Sequence, residues 1–133
     1  MGGMLAVNMA YLYESSVEKL ILINPIGLET YLDYVKFKDT SFFYKNELKK
    51  TLAGARKYQQ KNYYDGKWAN EYEALLVPLK GQLNSKDWLL VAWNNALTYG
   101  PIFSDEIVSK MPKIRTKTYL IMGTRDKTGP GRK

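Results

Sequence analysis

Histidine and cysteine are both absent from the 133 residues of this chain. Without histidine, no side chain ordinarily titrates near neutral pH, and a Ser-His-Asp arrangement cannot be completed from these residues alone. Metal sites built from imidazole or thiolate ligands are excluded, and so are disulfides. We therefore expect no metal site and no cofactor.

Long apolar runs are also missing. No stretch approaches the ~20 apolar residues that a membrane-spanning helix needs, and residues 1–13 lack the basic start of a signal peptide. We expect one globular domain of ordinary size with no membrane span. No feature of the sequence indicates a cellular location.

What the chain does have is positive charge, +7 at pH 7, and many aromatic residues, which make up 14% of the sequence. The two kinds of side chain alternate in one segment: Lys57, Tyr58, Lys61, Tyr63, Tyr64, Lys67 and Trp68. Such a pattern can hold single-stranded nucleic acid by charge and stacking, so a basic nucleic-acid-binding module is one hypothesis. The basic residues are dispersed along the chain, which favours a solvated helical surface and no specific nucleic acid. A helical protein-interaction domain is a further alternative.

Two short apolar runs, residues 19–24 and 117–122, are typical of parallel strands buried on both faces. Residues 1–13 precede the first run and have the pattern of a mostly buried helix. The connection between the strands is roughly ninety residues long, far beyond a minimal crossover. The fold class is therefore α/β, with an inserted helical subdomain at residues 28–110.

The residue pattern of the inserted segment predicts five helices. Their expected ranges are 40–50, 52–64, 70–83, 86–99 and 105–110. Pro78 predicts a break or kink in the third. Gly100 and Pro101 predict the end of the fourth, and Ser104 can cap the fifth. Asn70 followed by Glu73 is a weak relative of a capping box.

The two ends of the chain carry motifs that resemble one family. Residues 1–4 read Met-Gly-Gly-Met, and many α/β-hydrolases carry Gly-X-Ser-Met-Gly-Gly at the nucleophile elbow. Residues 120–126 read Leu-Ile-Met-Gly-Thr-Arg-Asp, similar to the family's seventh strand and acid loop. With the helical insertion between them, the whole chain resembles an internal piece of an α/β-hydrolase, from just after the nucleophile to the catalytic acid.

The resemblance implies a partial α/β-hydrolase fold with a helical cap. Residues 1–27 would be core, holding the helix after the elbow and the sixth strand. Residues 28–110 would be the cap, and residues 111–133 would return to the core. Gly2 and Gly3 would permit the tight elbow turn in the parent, although in this chain they are expected to form a flexible terminus.

The resemblance also implies roles for particular residues. Asp126 would be the acid of a Ser-His-Asp triad; the alternative is a turn aspartate that bonds its own backbone. Glu29, which follows the sixth strand, is the second choice, although an exposed glutamate at a helix start is favoured for it. In the parent, Met1 would offer its backbone N–H to the oxyanion.

The parent would hydrolyse a small-molecule ester or a similar bond. This chain has neither the elbow serine nor a histidine, so we expect it to be inactive alone. Trp68, Trp88 and Trp93 could line a substrate pocket, but a core role is favoured for most aromatic residues of the insertion. Bare strand edges recruit other chains, so self-association is expected.

Overall fold

The computed structural model describes residues 1–124, 126 and 129–130. The chain forms two compact units. Unit 1 consists of Met1–Phe37 and Pro101–Lys133 and holds both strands, whereas unit 2, Lys38–Gly100, is built of helices. Each unit is described by itself below.

The strands of unit 1 are β1 (Lys19–Ile23) and β2 (Lys117–Ile121). They pair in parallel, with Lys19 opposite Lys117 and Ile23 opposite Ile121. The predicted parallel pair is confirmed, and the described residues have the form of a partial α/β fold. Because the strands are parallel, the residues just beyond the end of each strand lie at one edge of the sheet.

Helix α1 (Gly2–Leu12) packs one face against β1. The buried core of unit 1 consists of Met4, Val7, Ala10, Leu20, Leu22 and Ile107. The three α1 members of this core recur every third residue, as one helical face requires. Leu5, Met9 and Leu12 lie outside that face and are exposed. The prediction of a mostly buried helix is therefore wrong, because only one side of α1 has a partner among the described residues.

The strands are also less covered than their sequence predicts. Leu20 and Leu22 of β1 are buried, but Ile21 and Ile23 between them are exposed, and every residue of β2 is exposed. The prediction of strands buried on both faces is wrong for the described residues. Alternate side chains of a strand point to opposite faces, and α1 covers only one face of β1.

Unit 2 contains four complete α-helices. They are α2 (Thr40–Leu48), α3 (Leu52–Asn62), α4 (Val77–Leu83) and α5 (Trp88–Leu97). The Asp39 side chain accepts a 2.8 Å hydrogen bond from Phe42 N, and Thr51 Oγ1 accepts one of 3.1 Å from Gly54 N. These caps satisfy amides in the first turns of α2 and α3, which otherwise have no partner within a helix.

Proline residues mark two helix starts. The predicted break near Pro78 is present: a 3₁₀ helix covers Asn70–Leu76, and α4 comes next with Pro78 in its first turn. The predicted end at Gly100 and Pro101 is wrong, because α6 (Tyr99–Ser104) contains both residues. A proline in the first turn of a helix removes no internal hydrogen bond.

The predicted helix over residues 105–110 is wrong as well. That segment forms coil and a turn, and a 3₁₀ helix at Met111–Lys113 leads toward β2. Ser104, predicted to cap a helix, is instead the last residue of α6. The Asp105 side chain forms hydrogen bonds with Asn8 and Lys110, and this tertiary network replaces the local helical arrangement.

Candidate functional site

A cavity of about 370 Å³ opens in unit 1 where β1 and β2 end. Ligand sites of parallel α/β sheets lie at this edge, beyond the carboxyl ends of the strands. The segment after β1 contributes Pro25, Ile26, Gly27, Leu28, Glu29 and Tyr31, and the segment after β2 contributes Met122, Gly123, Thr124, Asp126 and Gly129. Two acidic residues, Glu29 and Asp126, therefore line one cavity.

Asn24 connects the two segments. Its backbone N–H donates a 2.9 Å hydrogen bond to Ile121 O, and its side-chain Oδ1 accepts one of 2.7 Å from Gly123 N. Asn24 has φ 42°, in the left-handed region that asparagine tolerates better than most residues. The first residue after β1 thus stays bonded to the chain leaving β2.

Asp126 lies in a turn that starts at Gly123. Its backbone N–H donates a 3.1 Å hydrogen bond to Gly123 O, and its side chain is partly buried at the cavity. The turn and the cavity position are compatible with each other, because the turn bond uses the backbone of Asp126 and not its carboxylate. Arg125, the residue before Asp126 in the predicted motif, lies outside the described residues.

Glu29 reaches the same cavity from the segment after β1. Its Oε1 lies 3.3 Å from the position that a Cβ on Gly129 would occupy. Gly27, two residues earlier, has φ 89°, and a Cβ there would lie 2.9 Å from Met4 Cγ and 3.0 Å from two carbons of Ile107. Only glycine allows the loop to pass this close to the core before it lines the cavity.

Met1 was predicted to be an oxyanion donor in the parent enzyme only, and Gly2 and Gly3 were expected to form a flexible terminus in this chain. Met1 is not among the residues that line the cavity; its carbonyl accepts the Met4 amide at 2.9 Å in the first turn of α1. Gly3 is not part of a flexible end, because it lies in α1, and a Cβ on it would lie 2.6 Å from Pro25 Cβ. Gly3 therefore permits close contact between α1 and the loop after β1.

The aromatic residues of unit 2 largely contact one another. Tyr64 and Tyr72 stack with ring centroids 4.0 Å apart, and Trp68 meets both rings edge-on. Trp68 Nε1 donates a 2.7 Å hydrogen bond to Glu73, which also accepts one of 2.6 Å from Arg56. Glu73 makes these contacts instead of forming a capping box at Asn70, whose helix has no side-chain cap.

The aromatic residues that suggested nucleic-acid binding do not form one accessible surface. Tyr64 and Trp68 belong to the cluster just described and are only partly accessible, whereas Tyr58 and Tyr63 are exposed and meet edge-on at 5.7 Å. Edge-on neighbours do not form a continuous flat surface on which successive bases could stack. Tyr64 and Trp68 are half-buried in this cluster, so they pack against neighbouring rings, whereas the predicted core role is wrong for Trp93, which is 40% exposed.

A buried carboxylate in unit 2 was not anticipated from the sequence. Glu47 of α2 accepts two hydrogen bonds from Lys50, at 2.8 and 2.7 Å, and one of 3.0 Å from Asn95 of α5. Burial raises the pKa of Tyr99, and the negative charge of Glu47 raises it further. The i, i+3 spacing of Glu47 and Lys50 was the available signal, but the same spacing is common on exposed helix faces.

Metal-binding clusters and membrane spans are both absent from the part of the chain that the structure describes. Over residues 1–124, 126 and 129–130, no group of three acidic side chains is placed to hold a metal ion. Within the same residues, no helix has the length and apolar character needed to cross a membrane.

Comparison with known proteins gives one informative match. No protein-family model matches the chain, and no curated protein matches it at a significant level. Its structure is similar to the crystal structure of a probable hydrolytic enzyme from Pseudomonas aeruginosa PAO1, with a TM-score of 0.90 and 38% sequence identity over 96% of this chain. The chain spans 41% of the length of that protein. The likeness gives the chain the fold of part of a probable hydrolytic enzyme.

Proposed function

We propose that this chain is a segment of an α/β-hydrolase whose complete form cleaves a small-molecule ester or a similar bond. The observation that carries the proposal is the likeness to the Pseudomonas aeruginosa protein, at 38% identity over 96% of the chain. Because the chain spans only 41% of that protein, the activity is proposed for the longer form. The parallel pair β1–β2 and the cavity at its carboxyl edge support the same conclusion.

Asp126 is the proposed acid of the catalytic triad. In such a triad a carboxylate holds the histidine in the correct tautomer and stabilises the imidazolium formed when serine gives up its proton. Asp126 comes after the end of β2 and lines the cavity, and both observations support this role. Glu29 lines the same cavity and is the alternative acid. In the longer form, Met1 would have a peptide N–H to offer the oxyanion.

Residues 28–110 are the proposed cap. The compact helical unit Lys38–Gly100 lies within that range and supports the assignment. The two core segments, residues 1–27 and 111–133, would supply the sixth and seventh strands. In this arrangement the chain would bring the cap and the acid to the site, while the serine and histidine would come from the rest of the enzyme.

The isolated 133-residue chain should have no hydrolase activity. It contains no histidine, so no base of the usual kind is present to activate a serine. We expect no turnover of short activated esters above a heat-denatured control. Labelling of the isolated chain by a serine-reactive phosphonate would contradict this expectation.

A hybrid enzyme tests the catalytic part. In it, this chain replaces the matching segment of the Pseudomonas aeruginosa protein, which then supplies the remaining 59% of its own length (100% minus the 41% matched). We expect the hybrid to hydrolyse activated esters and Asp126→Asn to lower kcat by roughly 10⁴-fold, as loss of a triad acid does elsewhere. Glu29→Gln is the matched control. A larger loss from Glu29→Gln than from Asp126→Asn would assign the acid role to Glu29, and an inactive hybrid that folds would contradict the hydrolase proposal.

A further inference from the structure

We propose that Asn24 is a positioning residue that fixes the Asp126 turn through the amide of Gly123. The positioning itself depends only on the geometry of unit 1. Its catalytic meaning rests on the function proposed above.

Asn24 continues the hydrogen-bond ladder between β1 and β2 by one residue. In the register of the sheet, Ile23 is opposite Ile121, so Asn24 is opposite Met122. A residue in a parallel ladder gives its N–H to the residue before its partner and accepts, through its C=O, from the residue after it. Asn24 N donates to Ile121 O at 2.9 Å, but Gly123 N donates to Asn24 Oδ1 at 2.7 Å.

The side-chain carbonyl of Asn24 thus takes the place of its main-chain carbonyl in the ladder. The reason lies in the backbone at Asn24, where φ 42° turns the chain away from the sheet toward Pro25 and the cavity loop. For a residue other than glycine such a conformation is strained, and asparagine is among those that tolerate it best. The side chain keeps Gly123 bonded even though the main chain has left the sheet.

Gly123 is in turn bonded to Asp126. The amide of Gly123 is held by Asn24, and the carbonyl of Gly123 accepts the Asp126 amide at 3.1 Å. The two bonds lie on either side of one residue, so they join the end of β1 to the backbone of Asp126. Loss of the Asn24 acceptor should release the start of the turn while leaving β1 and β2 paired.

Two substitutions separate the side-chain acceptor from the backbone conformation. Asn24→Gly retains easy access to positive φ but removes the acceptor, whereas Asn24→Asp retains an acceptor oxygen at the same place. Asp65→Gly is the matched control, because Asp65 also has a positive φ, 54°, but lies in unit 2.

Amide hydrogen exchange of the 133-residue chain, followed by NMR, reads the positioning directly. In Asn24→Gly we expect Gly123 to exchange about tenfold faster, the effect of losing one hydrogen bond of ordinary strength. Asn24→Asp should stay near the original rate, Asp65→Gly should leave Gly123 unchanged, and the amides within β2 should stay protected throughout. Unchanged exchange at Gly123 in Asn24→Gly would overturn the proposal.

A second measurement covers the case in which Asn24→Gly fails to fold. In Asn24→Asp, the Gly123 amide proton should shift with pH beyond any shift in the unsubstituted chain, as the carboxylate that accepts it gains a proton; accepting that bond lowers the pKa of the introduced carboxyl. The same titration in Asp65→Gly should match that of the unsubstituted chain. Absence of the response in Asn24→Asp would overturn the proposed contact.

The hybrid enzyme tests the catalytic consequence. We expect Asn24→Gly to lower kcat by about tenfold to a hundredfold with little change in KM, because a small displacement of a catalytic group slows the chemical step. Asn24→Asp should recover most of kcat. An equal loss of kcat in both variants, or a change in KM alone, would contradict positioning of Asp126. If the hybrid has no activity at all, the hydrolase proposal fails while the exchange results still decide the role of Asn24.

Discussion

Lys110 Nζ donates a 2.6 Å hydrogen bond to Asn8 Oδ1, although 102 positions separate the two residues. Lys110 also forms a 2.5 Å ion pair with Asp105, and the Asn8 amide bonds the other carboxylate oxygen of Asp105. Asn8 belongs to α1, whereas Asp105 and Lys110 lie between α6 and β2. The network therefore joins the first helix of unit 1 to the segment that returns the chain to the sheet.

This network should make the stability of unit 1 depend on pH in the acid range. The hydrogen bond from Lys110 lowers the pKa of Asp105 from its ordinary value of 3.8. A carboxyl with a lowered folded-state pKa stabilises the fold above the unfolded-state value and loses that contribution as pH falls through the folded-state value. We expect Asp105→Asn to reduce stability at neutral pH and to flatten the loss of stability below about pH 4.

NMR signals of Val7 and Ile107, both fully buried in unit 1, can track this unfolding as pH and temperature change. Asp87→Asn is the control, since the Asp87 side chain forms no cap bond at the start of α5. The same acid dependence in Asp105→Asn and in the unsubstituted chain would contradict the role of the network. The effect should be modest, because the Asp105 side chain is 32% exposed and solvent screens the pair.

Gly27 and Gly66 provide a matched pair for backbone strain and packing. Both have positive φ, 89° and 81°, but a Cβ on Gly66 would meet nothing within 4 Å, whereas one on Gly27 would contact Met4 and Ile107 at 2.9–3.0 Å. We expect Gly66→Ala to cost about 1 kcal/mol from strain alone. Gly27→Ala should cost about 2–4 kcal/mol, because overpacking adds about 1–3 kcal/mol.

Urea unfolding measures both costs. The three tryptophans lie in unit 2, so their fluorescence reports Gly66→Ala, and amide exchange in α1 reports Gly27→Ala. Equal costs for the two substitutions would show that the loop before the cavity moves away from the core without penalty.

The sequence predicted the parts of the fold that depend on local patterns. The apolar runs of β1 and β2 end at Asn24-Pro25 and at Gly123, and turn-forming residues of this kind limit strands strongly. Parallel pairing then brings the segments after both strands to one edge, which is why Glu29 and Asp126, chosen as candidates from the family resemblance, lie at one cavity. Their catalytic roles stay predictions.

The features that the sequence did not reveal depend on distant partners. Glu73 has the spacing of a capping residue, but it bonds Arg56, 17 positions away, and Trp68. Glu47 is buried where α2 packs against α5, and Asn95, 48 positions away, supplies one of the hydrogen bonds that satisfy its carboxylate. The contribution of Asn24 requires a left-handed backbone that its residue type permits but does not dictate. No periodicity encodes these contacts.

The charge of Glu47 should be visible in the titration of Tyr99. Burial is the larger cause of the raised Tyr99 pKa and the Glu47 charge is the next, so Glu47→Gln should lower that pKa only part of the way toward 10.0. The measurement is the Cζ chemical shift of Tyr99 as a function of pH. Glu71→Gln, in the 3₁₀ helix before α4, is the control and should leave Tyr99 unchanged. A Tyr99 pKa unaffected by Glu47→Gln would contradict the electrostatic contribution.

The two-stranded sheet should make the isolated chain associate with itself. Within the described residues, β1 and β2 have only each other as partners, so their outer edges offer unpaired amides and carbonyls. One face of the sheet also exposes an apolar group: Ile21, Ile23, Tyr119 and Ile121. Open edges beside exposed apolar side chains recruit further chains.

We expect sedimentation velocity to show dimers or larger species, and an apolar dye to bind. The double substitution Ile23→Lys with Ile121→Glu places opposite charges on facing residues of the sheet, so it should reduce both association and dye binding without separating the strands. The matched control, Leu5→Lys with Leu12→Glu, changes two residues of α1 that are 61% and 63% exposed. If the control reduces association as strongly as the strand variant, the contact runs through α1. A monomeric chain that melts sharply and binds no dye would show that the open edges and the apolar face recruit no other chain.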